Sequence, residues 1–175
     1  MKKYLLIFLI LIVIFISACN STSDWKAYQN DMFSIKYPSS YQLTEDGNKG
    51  LSLDGKTEGQ ITVRYFGDDL NFGDTTLEYP KRVKMGLDQF MEVAKRNDAF
   101  KNIKKTEFNG YKAYEIDFST KVSNDGGETY KEENAFLIMT ENSKGHVYQI
   151  GFKNKPTKKD LTSTEIEILS TFQFN

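Results

Sequence analysis

The spacing of apolar positions changes along the chain, and each change marks an element. Residues 4–16 form an unbroken apolar run behind Lys2 and Lys3, and the polar stretch Asn20-Ser-Thr-Ser-Asp24 follows at once. That run is shorter than the roughly 18 to 20 residues a spanning helix needs. From Trp25 the pattern alternates. Trp25-Lys-Ala-Tyr28 and Phe33-Ser-Ile35-Lys-Tyr37 flank Asn30-Asp31, which predicts a hairpin stopped by Pro38-Ser39-Ser40. Leu51-Ser-Leu53 and Ile61-Thr-Val63-Arg-Tyr65 flank a turn-rich insert, Asp54-Gly55-Lys56-Thr57-Glu58-Gly59, and predict a second hairpin. Over residues 79–96 the period lengthens. Val83, Leu87, Phe90, Met91 and Ala94 share one helical face, opposite Lys81, Arg82, Lys84, Asp88, Glu92 and Lys95. An amphipathic helix is predicted there, with Pro80 in its first turn and a Glu92–Arg96 pair on its exposed side.

Period 2 then returns. Residues 103–108 and 111–118 are strand patterns joined by Asn109-Gly110, the strongest short hairpin signal, with Tyr114, Ile116 and Phe118 on one face. Asn124-Asp125-Gly126-Gly127 marks a turn before strands over residues 130–140 and 146–152. Thr162-Ser-Thr-Glu165 matches a capping box ahead of Ile166 and Leu169, and residues 171–174 return as a terminal edge strand. Strands, helix, strands, helix: the order predicts an α+β fold with an antiparallel sheet.

Composition narrows the picture only slightly. With 175 residues, 39% apolar and 14% aromatic, the chain has material for one core, so a single domain over residues 25–175 is expected. A formal net charge of −1 leaves no electrostatic footprint for nucleic acid. Cys19 is the only cysteine, so no intramolecular disulfide forms.

The start of the chain carries the clearest signal. Two lysines, an apolar run and the small residues Ser17-Ala18 are the parts of an export signal. At its end, Ile16-Ser17-Ala18-Cys19 resembles the lipobox of bacterial lipoproteins. The resemblance implies a signal peptide over residues 1–18, a diacylglyceryl group on the Cys19 thiol and cleavage between Ala18 and Cys19. Residues 19–24 then serve as a short tether to the outer face of a cytoplasmic membrane. The alternatives are a plain secreted protein with a free Cys19 thiol, or an uncleaved anchor. The five residues between Cys19 and Trp25 reach only ~12 Å as a coil.

Candidate chemistry is sparse. Gly50-Leu-Ser-Leu-Asp-Gly55-Lys56-Thr57 fits the P-loop expression by letter, but such a loop works only between a strand and a helix N-terminus, and here a strand pattern follows. No nucleotide partner is expected. His146, the single histidine, is the one candidate base for a hydrolase, and reads as a solvated or hydrogen-bonded residue at a strand start. Asp68-Asp69 with Asp74, and Asn124-Asp125 with Glu128, lack the spacing of a calcium loop and read as solvated turns. The basic residues Lys153, Lys155, Lys158 and Lys159 read as a solvated loop, with contact to anionic headgroups as the alternative. No catalytic residue, metal site or cofactor is assigned.

The strand signatures Trp25…Tyr28…Phe33-Ser-Ile-Lys-Tyr37-Pro38, Gly110-Tyr-Lys-Ala-Tyr114-Glu-Ile-Asp-Phe118, His146-Val-Tyr148-Gln-Ile150-Gly-Phe152 and Ile166-Glu-Ile-Leu169-Ser-Thr-Phe172-Gln-Phe174 together resemble the PsbP-like family. The resemblance implies an α/β/α sandwich with a central antiparallel sheet. It also implies an accessory role: PsbP relatives in photosynthetic organisms are accessory subunits of the oxygen-evolving complex, and many bacterial relatives are lipoproteins without assigned activity. The expectation is a non-enzymatic module that binds an envelope protein. The runner-up is a binder of a small ligand, lipid or cell-wall fragment in a cleft between sheet and helix.

Overall fold

The computed structural model describes residues 24–45, 49–67, 86–123 and 130–175. Strands β1 (Trp25–Gln29) and β2 (Phe33–Pro38) pair antiparallel, from Trp25 opposite Pro38 to Gln29 opposite Ser34. Asn30 closes the turn, its Oδ1 accepting the backbone N–H groups of Met32 and Phe33, both at 2.9 Å. The last strand, β10 (Gln173–Phe174), adds to the other edge of β2. Seven further strands make the large sheet in the order β3-β4-β5-β9-β8-β7-β6, every neighbour antiparallel. They are β3 (Gln42–Glu45), β4 (Gly50–Asp54), β5 (Gln60–Gly67), β6 (Phe100–Phe108), β7 (Tyr111–Ser123), β8 (Tyr130–Glu141) and β9 (Val147–Lys153). Asn109 and Gly110, at φ +52° and +80°, form the tight left-handed turn that their dipeptide predicts.

Three boundaries differ from the pattern reading. Strand β3 is invisible to it because Leu43 is its only apolar residue, and pairing with Leu53 of β4 makes the strand. Strand β6 begins at Phe100, ahead of Ile103, across a bulge where Asn102 takes φ +49°. Helix α1 is Leu87–Ala94 and is no unbroken helix over residues 79–96: Gly86 is extended at its N-cap, so Leu87 opens the helix. Pro80 and Val83 lie outside the described residues. The helix stops before Arg96, and Glu92 pairs with Lys95 at 2.6 Å instead.

Strand β8 is buried on both faces of the large sheet over residues 136–140, which is why it reads as the continuous run Ala135-Phe-Leu-Ile-Met139. Its Phe136 and Ile138 join Leu51, Leu53, Ile61, Val63, Ile150 and Phe152 in the larger core, covered by β2 and by helix α2 (Ser163–Ser170). Its Leu137 and Met139 join Tyr114, Ile116 and Val147 under Leu87, Met91 and Ala94 of α1. The result is a mixed, sheet-rich α+β fold with antiparallel sheets and, among the described residues, two α-helices; a three-stranded sheet shares the covering layer with α2.

Helix α2 starts at the predicted capping box. Thr162 Oγ1 accepts the Glu165 N–H at 3.2 Å, and Glu165 Oε2 accepts the Thr162 N–H at 2.7 Å. Glu165 is fully buried and its Oε2 lies 3.3 Å from Lys155 Nζ. The apolar anchor of α2 is Ile168, 0% exposed, whereas Ile166 is 51% exposed.

An aromatic joint locks the small sheet to the large one. Phe172 stacks on Phe33 at 5.4 Å and meets Phe108, Tyr148 and Phe174 edgewise or tilted. The Tyr148 hydroxyl donates to the Met32 carbonyl at 3.0 Å, and Asn109 Nδ2 donates to the Phe172 carbonyl at 2.7 Å. Because Phe172 is 1% exposed and touches rings from both sheets, Phe172→Ala should cost about 3–5 kcal/mol. Urea denaturation measures this directly; a loss below about 1 kcal/mol would show that the two sheets do not depend on the joint.

Candidate functional site

Among the described residues, helix α1 covers only part of its face of the large sheet. Register fixes what remains open: across β5 and β9, Gln60 stands opposite Lys153, Thr62 opposite Gly151 and Arg64 opposite Gln149. The rows continue through Lys153 opposite Ala135, Gly151 opposite Leu137, Ala135 opposite Phe118 and Phe118 opposite Phe100. These residues line a cleft of about 410 Å³, with Glu133 and Asn134 at its end.

The cleft is divided across the sheet. Strands β5 and β9 contribute amide, hydroxyl, guanidinium and ammonium groups. Strands β6, β7 and β8 contribute Phe100 and Phe118, packed edge to face at 5.4 Å, with Ala135 and Leu137. Gly151 sets the depth of the floor, since a Cβ there would fall 2.9 Å from Thr62 Oγ1 and 3.1 Å from Leu137 Cδ2. Lys153 leans toward Glu133, with Nζ 3.8 Å from Oε1. Arg64 is exposed and has no carboxylate partner among the described residues.

A second hollow, of about 440 Å³, lies between α1 and β6 and is lined by Asp88, Glu92, Lys95, Ile103, Lys105 and Tyr114 among others. Its chemistry is already satisfied. Asp88 accepts from the Tyr114 hydroxyl at 2.5 Å and from Lys105 and Lys112 at 3.2 Å each, and Lys112 also reaches Glu141 at 2.8 Å. The Tyr114 hydrogen bond, helped by Lys112 and Lys105 against some desolvation, holds the Asp88 carboxyl down to about 2. Burial, then Asp88 itself, pushes the Tyr114 hydroxyl up to about 12. The cluster is a clamp that fixes the first turn of α1 to β6 and β7.

The residues singled out by sequence are dispersed. Ala18 and Cys19 lie outside the described residues, as do Asp68, Asp69, Asp74, Asn124, Asp125 and Glu128. Gly50 to Thr57 run from β4 into the turn that leads to β5, so no helix N-terminus follows them. Their glycines serve packing: a Cβ on Gly50 would lie 2.6 Å from the Val63 carbonyl oxygen, and one on Gly55 2.7 Å from the Tyr41 ring. The His146 ring rests edgewise against Tyr65 at 5.6 Å, and its backbone N–H donates to Asn142 Oδ1 at 3.0 Å. Among the described residues no group of three or more His, Cys, Asp or Glu is placed to hold a metal ion. Of the four basic residues, Lys153, Lys155 and Lys158 pair with Glu133, Glu165 and Glu115. Sequence reading passed over Gln60, Thr62, Arg64 and Gln149. Their alternation along two strands was the available signal, but nothing in it says that those strands are neighbours.

No family model and no curated protein matches this sequence. Solved structures share the fold, two of them as follows. One is a protein from Bacteroides thetaiotaomicron VPI-5482, with TM-score 0.52 and 15% identity over 86% of this chain and 48% of that one. The other is the cyanobacterial PsbP (CyanoP) from Synechocystis sp. PCC 6803, with TM-score 0.50 and 13% identity over 90% of this chain and 97% of that one. The chain therefore spans about half the length of the Bacteroides protein and nearly all of CyanoP. The fold is PsbP-like, as the strand signatures implied.

The Asp88 clamp has a defined pH signature. A folded value of about 2, below the ordinary 3.8, means its stabilisation is full above the ordinary value and is lost as pH falls through about 2. Asp88→Asn should cost no more than about 1 kcal/mol at neutral pH, because the carboxylate is half exposed and screened. Thermal melts of both proteins across the acid range check this: the gap should stay constant at neutral pH and close toward pH 2. A gap that is unchanged at the acid end would rule out the clamp.

Proposed function

We propose that this chain is a lipoprotein held on the extracytoplasmic face of a membrane through Cys19, whose PsbP-like domain is a non-enzymatic accessory module that binds an envelope partner. The anchor reading is supported by the basic, apolar and small-residue order of residues 1–18 and by Ile16-Ser17-Ala18-Cys19 at its end. Two acyl chains on one residue anchor stably where one is marginal. None of the described helices is long and apolar enough to cross a membrane. The fold is read as an α/β/α sandwich, with α1 on one face of the large sheet and α2 on the other.

The observation that carries the binding reading is the part of the α1 face that no other described residue covers. It is concave, mixed in polarity, and built by five strands at positions where a sheet interior normally takes a second apolar layer. A short tether keeps that face within reach of neighbours in the same membrane. The second reading, a small ligand in the cleft, is favoured by the separation of its polar and apolar halves.

Native protein should carry a diacylglyceryl adduct on Cys19 by intact-mass analysis, and Cys19→Ser should shift it from the membrane to the soluble fraction. An unmodified thiol on native material removes the anchor. For the module, a photo-crosslinking residue at Gln149 in intact cells should capture one reproducible envelope protein that the same residue at Lys36, on the small sheet, does not. Identical captures from both positions would defeat the proposal.

A further inference from the structure

We propose that the cleft floored by Gly151 is a binding site for a small amphiphilic anion, a carboxylate or phosphate head on an apolar body. The inference deepens the reading of this face as the binding surface and rests on it. Three observations point to this class of ligand. The first is charge: the cleft holds two cations, Arg64 and Lys153, against one acid, Glu133, and that acid sits beside Lys153. Arg64 has no carboxylate partner among the described residues, and a guanidinium matches a carboxylate or phosphate with paired hydrogen bonds. Gln149 on the neighbouring strand adds a neutral donor on the same side, and Thr62, whose hydroxyl donates to the Gly151 carbonyl at 3.5 Å, makes the floor beside it polar.

The second observation is the lateral division. A head on Arg64 and Gln149 leaves the rest of the ligand over Leu137, Ala135, Phe118 and Phe100, where no charged side chain intervenes until Glu133 at the far end. An ion without an apolar body would leave that wall wet. A neutral apolar molecule would leave Arg64 unanswered. The third is size and backbone. A volume of about 410 Å³ suits a small ligand, and the floor is mid-sheet, with β5, β9, β8 and β7 already hydrogen-bonded to one another. A peptide has no free ladder to extend there, so recognition falls to side chains.

The test uses the full chain in phosphatidylcholine nanodiscs, titrated by ligand-observed NMR with phenylbutyrate, phenylbutyl phosphate, neutral phenylbutanol, acetate and inorganic phosphate. Both phenyl anions should bind at least about tenfold more tightly than the alcohol and than the two bare ions, as a charge-assisted hydrogen bond implies. Arg64→Gln, a change at an exposed position, should bring the phenyl anions to the level of the alcohol and leave the alcohol unchanged; its melting temperature confirms folding. A preference for one head over the other supports the site and names its head group. The proposal is overturned if the alcohol binds as well as the anions, if Arg64→Gln leaves the anions unaffected, or if no probe binds up to its solubility limit. Saturation by an acidic, aromatic peptide with no response to the small probes overturns it in favour of a protein surface. Failure of the parent reading looks different: anions that bind normally while Gln149 crosslinks no partner would remove the module and keep the site.

Discussion

The pairing of β5 with β9 is the contact on which the rest of this structure turns. It joins residues about ninety positions apart in sequence, Ile61 to Phe152 and Val63 to Ile150, and splices the unit β3-β4-β5 onto the meander β6-β7-β8-β9. One side of the splice supplies Ile61, Val63, Ile150 and Phe152 to the larger core. The other side supplies Gln60, Thr62, Arg64, Gln149, Gly151 and Lys153 to the cleft. Because side chains alternate strictly along a strand, the register that buries the first set obliges the second set to face the other way. A slip of one residue would invert both, so core stability and cleft composition are enforced by a single alignment.

Two further devices hold the layers on that sheet, and they differ in kind. The aromatic joint around Phe172 is apolar and buried, with Asn109 and Tyr148 tying its backbone to the neighbouring segments. The Asp88 clamp is polar and half exposed, drawing Lys105, Lys112 and Tyr114 onto one carboxylate at the start of α1. The first resists solvent and carries most of the energy, since apolar burial dominates folding and exposed ion pairs contribute little. The second acts on placement. It ties the first turn of α1 to β6 and β7.

The pattern of residues made most of this architecture readable. The Asn109-Gly110 turn, the hairpins at Asn30 and at residues 54–59, the capping box at Thr162 and the closing strand all follow from local chemistry, because each is stabilised by groups within a few residues of one another. Reading went astray where a distant partner supplied the stability. Strand β3 exists because Leu53 is there to receive Leu43. The start of α1 was misplaced because helical periodicity runs through Gly86, where the backbone is extended.

What the residues determined alone is the α+β class, the antiparallel hairpins and the strand signatures of a PsbP-like fold, together with a charge balance and an N-terminal segment that set expectations for where the chain resides. What only the tertiary structure decided is the candidate site. Arg64 and Gln149 are unremarkable polar positions on separate strands until β5 and β9 pair, and Phe100 and Phe118 look like core residues until α1 ends short of them. Local interactions are written in neighbouring residues, whereas a cleft is a property of which surfaces are left uncovered once every long-range contact has formed.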